Sequence, residues 1–186
     1  LDAPPRLLAS QRGLIQYSAD GVLIAVLDRR KLSILDAQTG EMLYTIGELD
    51  TLRGYLLHGD QIFITTGDTV QIFDIASGEL MTTWSVTPAD KLAYASIIDI
   101  APSPDGQTLI ISTYEGLQYV RVWDVETQTV THTIENVVEP QHPQRIEYSP
   151  TGDIWLSYAM GQQKIWLWDA STHTLIRTID LDDYPQ

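Results

Sequence analysis

The chain has 186 residues, of which 25 are acidic and 11 basic, giving a net charge of −14. Such an excess of negative charge repels phosphate backbones and anionic membrane surfaces, which argues against nucleic acid as a partner. Cysteine is absent, which excludes disulfides, thiolate zinc sites and cysteine nucleophiles.

Hydrophobic residues make up 44% of the sequence, and no apolar run approaches the length of about 20 residues that a spanning helix needs. We therefore expect one soluble globular domain over residues 1–186, with no membrane insertion; composition leaves the compartment open between cytoplasm and export. The start, Leu1-Asp2-Ala3-Pro4-Pro5, carries neither an initiator Met nor a charged-then-apolar leader, as expected of a mature form or a piece of something longer.

The sequence repeats itself four times, in blocks of about 13–47, 52–85, 94–135 and 144–180. The first block has a Ser18-Ala19-Asp20-Gly21 turn, then Leu32 and Ile34 on one face of a strand with Ser33 between them. That strand ends at Leu35-Asp36, followed by Thr39-Gly40 and Thr45-Ile46. The second block has a shifted turn, Leu57-His58-Gly59-Asp60, then Val70, Gln71 and Ile72, the Phe73-Asp74 step, Ser77-Gly78 and Thr83-Trp84. In the third, Ser103-Pro104-Asp105-Gly106 precedes the apolar run "TLIIST" (108–113). Val120, Arg121 and Val122 then lead to Trp123-Asp124, Thr127-Gln128 and Thr133-Ile134. The fourth repeats the order with Ser149-Pro150-Thr151-Gly152, Ile165-Trp166-Leu167, Trp168-Asp169, Thr172-His173 and Thr178-Ile179.

The apolar-Asp steps stand 38, 50 and 45 residues apart, a spacing that suits four short strands per unit. Asp36, Asp74, Asp124 and Asp169 are expected to accept bonds from backbone N–H groups two or three residues on, with a Ser or Thr adding a second local bond. Gly40 and Gly78 supply the positive φ such a hairpin needs, whereas Gln128 and His173 must carry it at about 1–2 kcal/mol each. The variable column Ser33, Gln71, Arg121 and Trp166 is expected outside the main packing layer. Helical periodicity is absent and β-branched and aromatic residues dominate the runs, so the class is all-β. Strands such as "KIWLWDA" (164–170) are apolar on both faces and need cover above and below.

These residues resemble a WD40-type β-propeller: the S-P-D-G turn, the W-D or F-D end of the third strand, and the T-G or S-G that follows. The resemblance spans roughly residues 13 to 179. The Gly-His dipeptide usual before a WD40 blade is missing from all four copies, so the hydrogen-bond network built on its His is not carried over, and the blades look more like the looser WD40-like propellers common in bacteria. The resemblance implies four-stranded antiparallel blades that stack radially, each covering its neighbour, with Trp123 and Trp168 delivered to the layer between blades. Four blades are the lower limit of such rings. Three completions stay open: this chain as a segment of a longer propeller, two chains sharing one ring, or a closed four-bladed ring.

Chemistry was sought residue by residue. His58, His132, His142 and His173 stand at no metal-ligand spacing from one another and are expected to be solvated. Two acids fall where the resemblance places the channel mouth: Asp99, expected to bond near its own turn, and Glu147, expected to pair with Arg145 or face solvent. The acidic run "DLDD" (180–183) lacks the glycine and spaced acid of a calcium loop and reads as a solvated tail. No catalytic residue, metal or cofactor is expected.

The remaining candidate is recognition by loops. The resemblance puts Asp28-Arg29-Arg30, Gly67-Asp68, Tyr114-Glu115-Gly116 and Ala159 to Gln163 on one face together with the longer stretches Ser85 to Ala93 and Glu135 to Pro143. Aromatic, Met and Arg side chains anchor interfaces, which singles out Arg29, Tyr114, Tyr158 and Met160 as protein-binding candidates. The expected function is a non-catalytic scaffold for protein–protein interaction, its partner another protein, a second copy or the remaining blades. The alternative is a ligand-binding or enzymatic propeller whose site lies largely in blades outside this chain.

Overall fold

The computed structural model describes residues 15–28, 30–47, 52–87, 95–115, 118–135, 144–159 and 163–181. Every regular element among them is a strand, and the strands form four antiparallel four-stranded sheets in simple sequence order. The first sheet holds β1 (Ile15–Tyr17), β2 (Leu23–Asp28), β3 (Lys31–Asp36) and β4 (Met42–Ile46). The second holds β5 (Leu52–His58), β6 (Gln61–Thr66), β7 (Thr69–Asp74) and β8 (Leu80–Ser85). In the third are β9 (Ser96–Pro102), β10 (Thr108–Tyr114), β11 (Gln118–Asp124) and β12 (Thr129–Glu135). The fourth contains β13 (Gln144–Tyr148), β14 (Ile154–Ala159), β15 (Lys164–Asp169) and β16 (Leu175–Asp180). Among the described residues no helix is long and apolar enough to cross a membrane.

Turn chemistry accounts for this order. Ser18, Ser103 and Ser149 each accept from the N–H of the glycine three residues on, Gly21, Gly106 and Gly152, at 2.9, 2.8 and 3.0 Å. The second sheet departs from this pattern: His58 pairs directly with Gln61, so a two-residue loop joins β5 to β6, with Gly59 at φ 57 in its first position. Positive φ at the first position alone is the mark of a type II′ hairpin, whose twist matches that of its flanking strands. Between the third and fourth strands of each sheet the register shifts by one residue, at Ile34/Leu35, Ile72/Phe73, Val122/Trp123 and Leu167/Trp168. A bulge so placed leaves the aromatic or leucine before each Asp to re-aim its side chain.

The chain divides into two compact units, Leu1–Pro88 and Ala89–Gln186. In the first, Ala25, Leu32, Ile34 and Ile46 of one sheet pack on Tyr55, Leu57, Ile62, Ile64 and Phe73 of the other. The buried Tyr55 hydroxyl donates to the Ala25 carbonyl at 3.2 Å, and burial pushes its pKa up to about 12. In the second unit, Ala101, Ile110, Val120 and Val122 pack on Ile146, Trp155 and Trp168. The Trp155 and Trp168 rings stack with centroids 4.9 Å apart and planes 6° from parallel, and Trp168 Nε1 donates to Ser157 Oγ at 3.0 Å. Burying two indoles this way stabilises the sheet by area and by stacking together.

The central strands β6 and β10 are covered on both faces: Ile62, Phe63 and Ile64, and likewise Leu109, Ile110 and Ile111, are all fully buried although alternate residues point opposite ways. The fourth sheet differs. Leu32, Ile34, Val120 and Val122 lie at 0–1% exposure, whereas Ile165 and Leu167, in the same column, are only half-buried.

Candidate functional site

The four joint aspartates occupy equivalent turns. Asp36 Oδ1 accepts from the N–H groups of Gln38 and Thr39 at 2.9 and 2.7 Å and from Thr39 Oγ1 at 3.0 Å. Asp74 and Asp124 accept from Ser77 and Thr127 in the same manner, each at 2.7 Å from both backbone and hydroxyl. Asp169 collects four bonds on Oδ1, from the N–H and hydroxyl of both Ser171 and Thr172. Hydrogen bonds to the charged form favour it; led by the Ser171 hydroxyl, they hold the Asp169 pKa down to about 2. Gln128 and His173 carry φ values of 57 and 56, where Gly40 and Gly78 both have 71.

Of the recognition candidates, Arg29 and Met160 lie outside the described residues. Tyr114 ends β10 and is 48% exposed. Tyr158 is half-buried near the end of β14, opposite Ile165 on the same sheet face. Both therefore stand at corresponding ends of the second strand in the two sheets of one unit. The acidic run begins with Asp180, which faces Lys164 at 3.2 Å across the β15–β16 ladder; the residues from 182 onward lie outside the described region. His142 lies outside it as well.

Two expectations are corrected. Arg121 does not stand outside the packing: it is 7% exposed, donates to Thr113 Oγ1 at 3.1 Å, forms a bidentate pair with Glu115 and lies 4.8 Å from the Tyr119 ring centroid. A guanidinium buried in a sheet requires a carboxylate and further acceptors around it; Glu115 in the turn after β10 supplies the first and Thr113 of β10 the second. Asp99 bonds well beyond its own turn. It is 7% exposed, its Oδ2 accepts from the Ile146 N–H at 3.0 Å, and its Oδ1 lies 3.9 Å from Arg145. Arg145 accordingly reaches toward Asp99. His132 is exposed, as expected, and His173 is half-buried, with the two ring centroids 5.0 Å apart.

Another site that sequence did not single out is Asp68, in the β6–β7 turn. It accepts from Thr87 Oγ1, Ser85 Oγ and Thr69 Oγ1 at 2.6, 2.7 and 3.3 Å. Partial burial works against its charge, but the three hydroxyls outweigh it and the pKa falls below the ordinary value. This tie fastens the end of β8 to the neighbouring turn. Among the described residues no group of three or more His, Cys, Asp or Glu is arranged to hold a metal ion.

No family model matches the chain, and no curated protein matches it. Among solved structures it is similar to a chain of the "Crystal Structure of Mitotic Checkpoint Complex", with a TM-score of 0.71 and 15% sequence identity. That match takes in 90% of this chain and 50% of the other, so the chain spans about half the length of the solved chain it resembles. Together with the four antiparallel four-stranded sheets, this likeness shows the fold: all-β, built from WD40-like propeller blades.

Proposed function

We propose that the chain is a non-catalytic scaffold that binds other proteins through its sheet faces and loops, and that its first partner is another sheet of its own kind. The observation carrying this reading is the incomplete burial of the fourth sheet. The column that is sealed at Leu32, Ile34, Val120 and Val122 stays half-buried at Ile165 and Leu167, with Tyr158 beside Ile165 on the same face. Apolar sheet surface of this kind is covered in stable proteins. The facing sheet in each compact unit meets the column with aliphatic and aromatic side chains, so a second copy or further blades offer matching chemistry. A scaffold role is also consistent with the structural match to a chain of the mitotic checkpoint complex.

Light scattering combined with the hydrophobic dye ANS tests this. The expected result for a second copy is a doubled mass that reverts to the monomer in Leu167→Lys. For docking by further blades it is a monomer that binds ANS, with less dye bound in Leu167→Lys. A monomer that binds no dye has no open face, and the reading fails. The loop candidates Arg29, Tyr114, Tyr158 and Met160 belong to the same proposal: alanine at each should weaken capture of a partner without lowering the melting temperature.

A further inference from the structure

In each compact unit a side chain from the outer strand of one sheet lies against the last turn of the next. The residue eight positions after Asp36 is Tyr44, and the residue four after Asp74 is Gly78. A methyl group on Gly78 would come within 2.6 Å of Tyr44 Cδ2, so the ring rests on the bare turn, and its hydroxyl donates to the Ile75 carbonyl. The same two steps counted from Asp124 and Asp169 reach His132 and His173. Their ring centroids are 5.0 Å apart with planes inclined by 35°. A ring on a glycine is here replaced by a ring on a ring.

The replacement carries costs that serve no purpose in the turn itself. His173 holds a φ of 56, and its Nδ1 is buried without a hydrogen-bond partner. At the same turn position Gly40 and Gly78 meet the positive φ without that strain. We propose that the His132–His173 contact is a proton-operated lock between the β9–β12 and β13–β16 sheets, closed while the His173 imidazole is neutral and loosened when that ring takes up a proton. Histidine is the one ordinary side chain that changes charge in this range. A charged ring in the partly buried His173 site, with a second imidazole 5.0 Å away, loses solvation.

The groups facing His173 are His132 from β12 and Asp169 from its own turn. Burial, then His132, lower its pKa, and Asp169 opposes them. The Asp169 carboxylate is already engaged by Ser171 and Thr172. For a base whose folded pKa lies below its unfolded one, the unfolded chain takes up the proton first. Stability is therefore intact above about pH 6.5 and falls as the pH drops below it.

The test compares the wild-type chain with His132→Tyr/His173→Gly, which installs the pair of the first unit, and with His173→Gly alone, which relaxes the turn and removes one ring of the contact. Urea midpoints are read at about pH 8 and about pH 5.5, on either side of the histidine range. His58 and His142 are present throughout, so differences isolate the pair. The wild type should lose midpoint on acidification, and both variants should lose less than about half as much. Protection factors of amides in the β15–β16 turn, which allow for the slower intrinsic exchange at low pH, should fall about tenfold at the lower pH in the wild type only. Equal pH dependence in all three chains, or turn protection that ignores pH, overturns the proposal.

Discussion

The two compact units are made of the same sheet, joined in the same two places, with different chemistry at each. Between the facing first strands of the first unit, Gln16 stands in for a missing ladder rung: its amide accepts from the Leu57 N–H at 3.2 Å and donates to the Leu57 carbonyl at 3.4 Å. Between β9 and β13 that place is taken by a buried carboxylate, Asp99 on Ile146. At the outer joint Tyr44 over Gly78 answers to His132 over His173. One unit is thus joined by neutral groups and the other by groups that titrate. The blade architecture dictates where a joint falls, and the side chains decide what disturbs it.

The largest break in the comparison lies in the cores. The first unit is filled by aliphatic residues around Phe73 and Tyr55, whereas the second depends on two stacked indoles. Trp168→Ala removes one indole and its bond to Ser157, and should cost about 3–5 kcal/mol. Urea unfolding measures it, and a loss below about 1 kcal/mol would mean that the stack is idle.

At the inner joints, Asp99→Leu leaves the buried Ile146 N–H without its acceptor and should cost about 2–3 kcal/mol. Asp99→Asn keeps an acceptor of the same shape and should cost less. Gln16→Ala, at a half-buried position, should cost about 1 kcal/mol. If the two joints proved equally sensitive, burial of the carboxylate would not be what distinguishes them. The turns sharpen the contrast through opposite signs. Gly78→Ala meets the Tyr44 ring and must hold φ 71, so it should destabilise by about 2 kcal/mol, while Gln128→Gly relieves a strained φ and should stabilise by about 0.5 kcal/mol. Chemical denaturation of the pair decides both signs.

The fold class was legible because it is written four times: apolar columns, a turn aspartate and a hydroxyl recur at fixed offsets, and those interactions are local. What sequence hid was every contact between sheets. Asp99 looked tied to its own turn because its partner, Ile146, is 47 residues away. Arg121 looked solvent-facing because the other three members of its column are Ser33, Gln71 and Trp166, and nothing in a column reveals that Glu115 folds back over it. The His132–His173 contact did leave a signal, since the same offsets select Tyr44 and Gly78; comparing columns across consecutive blades, rather than within one, would have found it. Arg29 and Met160 lie outside the described residues, so only Tyr114 and Tyr158 of that set gain a position.

The smallest expected effect lies where the units agree. All four joint aspartates are partly exposed, and all have pKa values below the ordinary carboxylate range, Asp169 furthest at about 2. A depressed folded pKa means that the unfolded chain protonates first. The stabilisation is therefore complete above about pH 4 and is lost as the pH falls toward 2, in both units alike. Asp124→Ala removes a turn acceptor outright and should lower the melting temperature by about 2–4 °C at neutral pH. Asp169→Asn separates charge from geometry, because every one of its four bonds goes to Oδ1 and an amide oxygen can accept them. It should keep most of the melting temperature at pH 7 and flatten the decline between about pH 4 and pH 2. An acid limb as steep as that of the wild type would show that the turn aspartates do not govern acid unfolding.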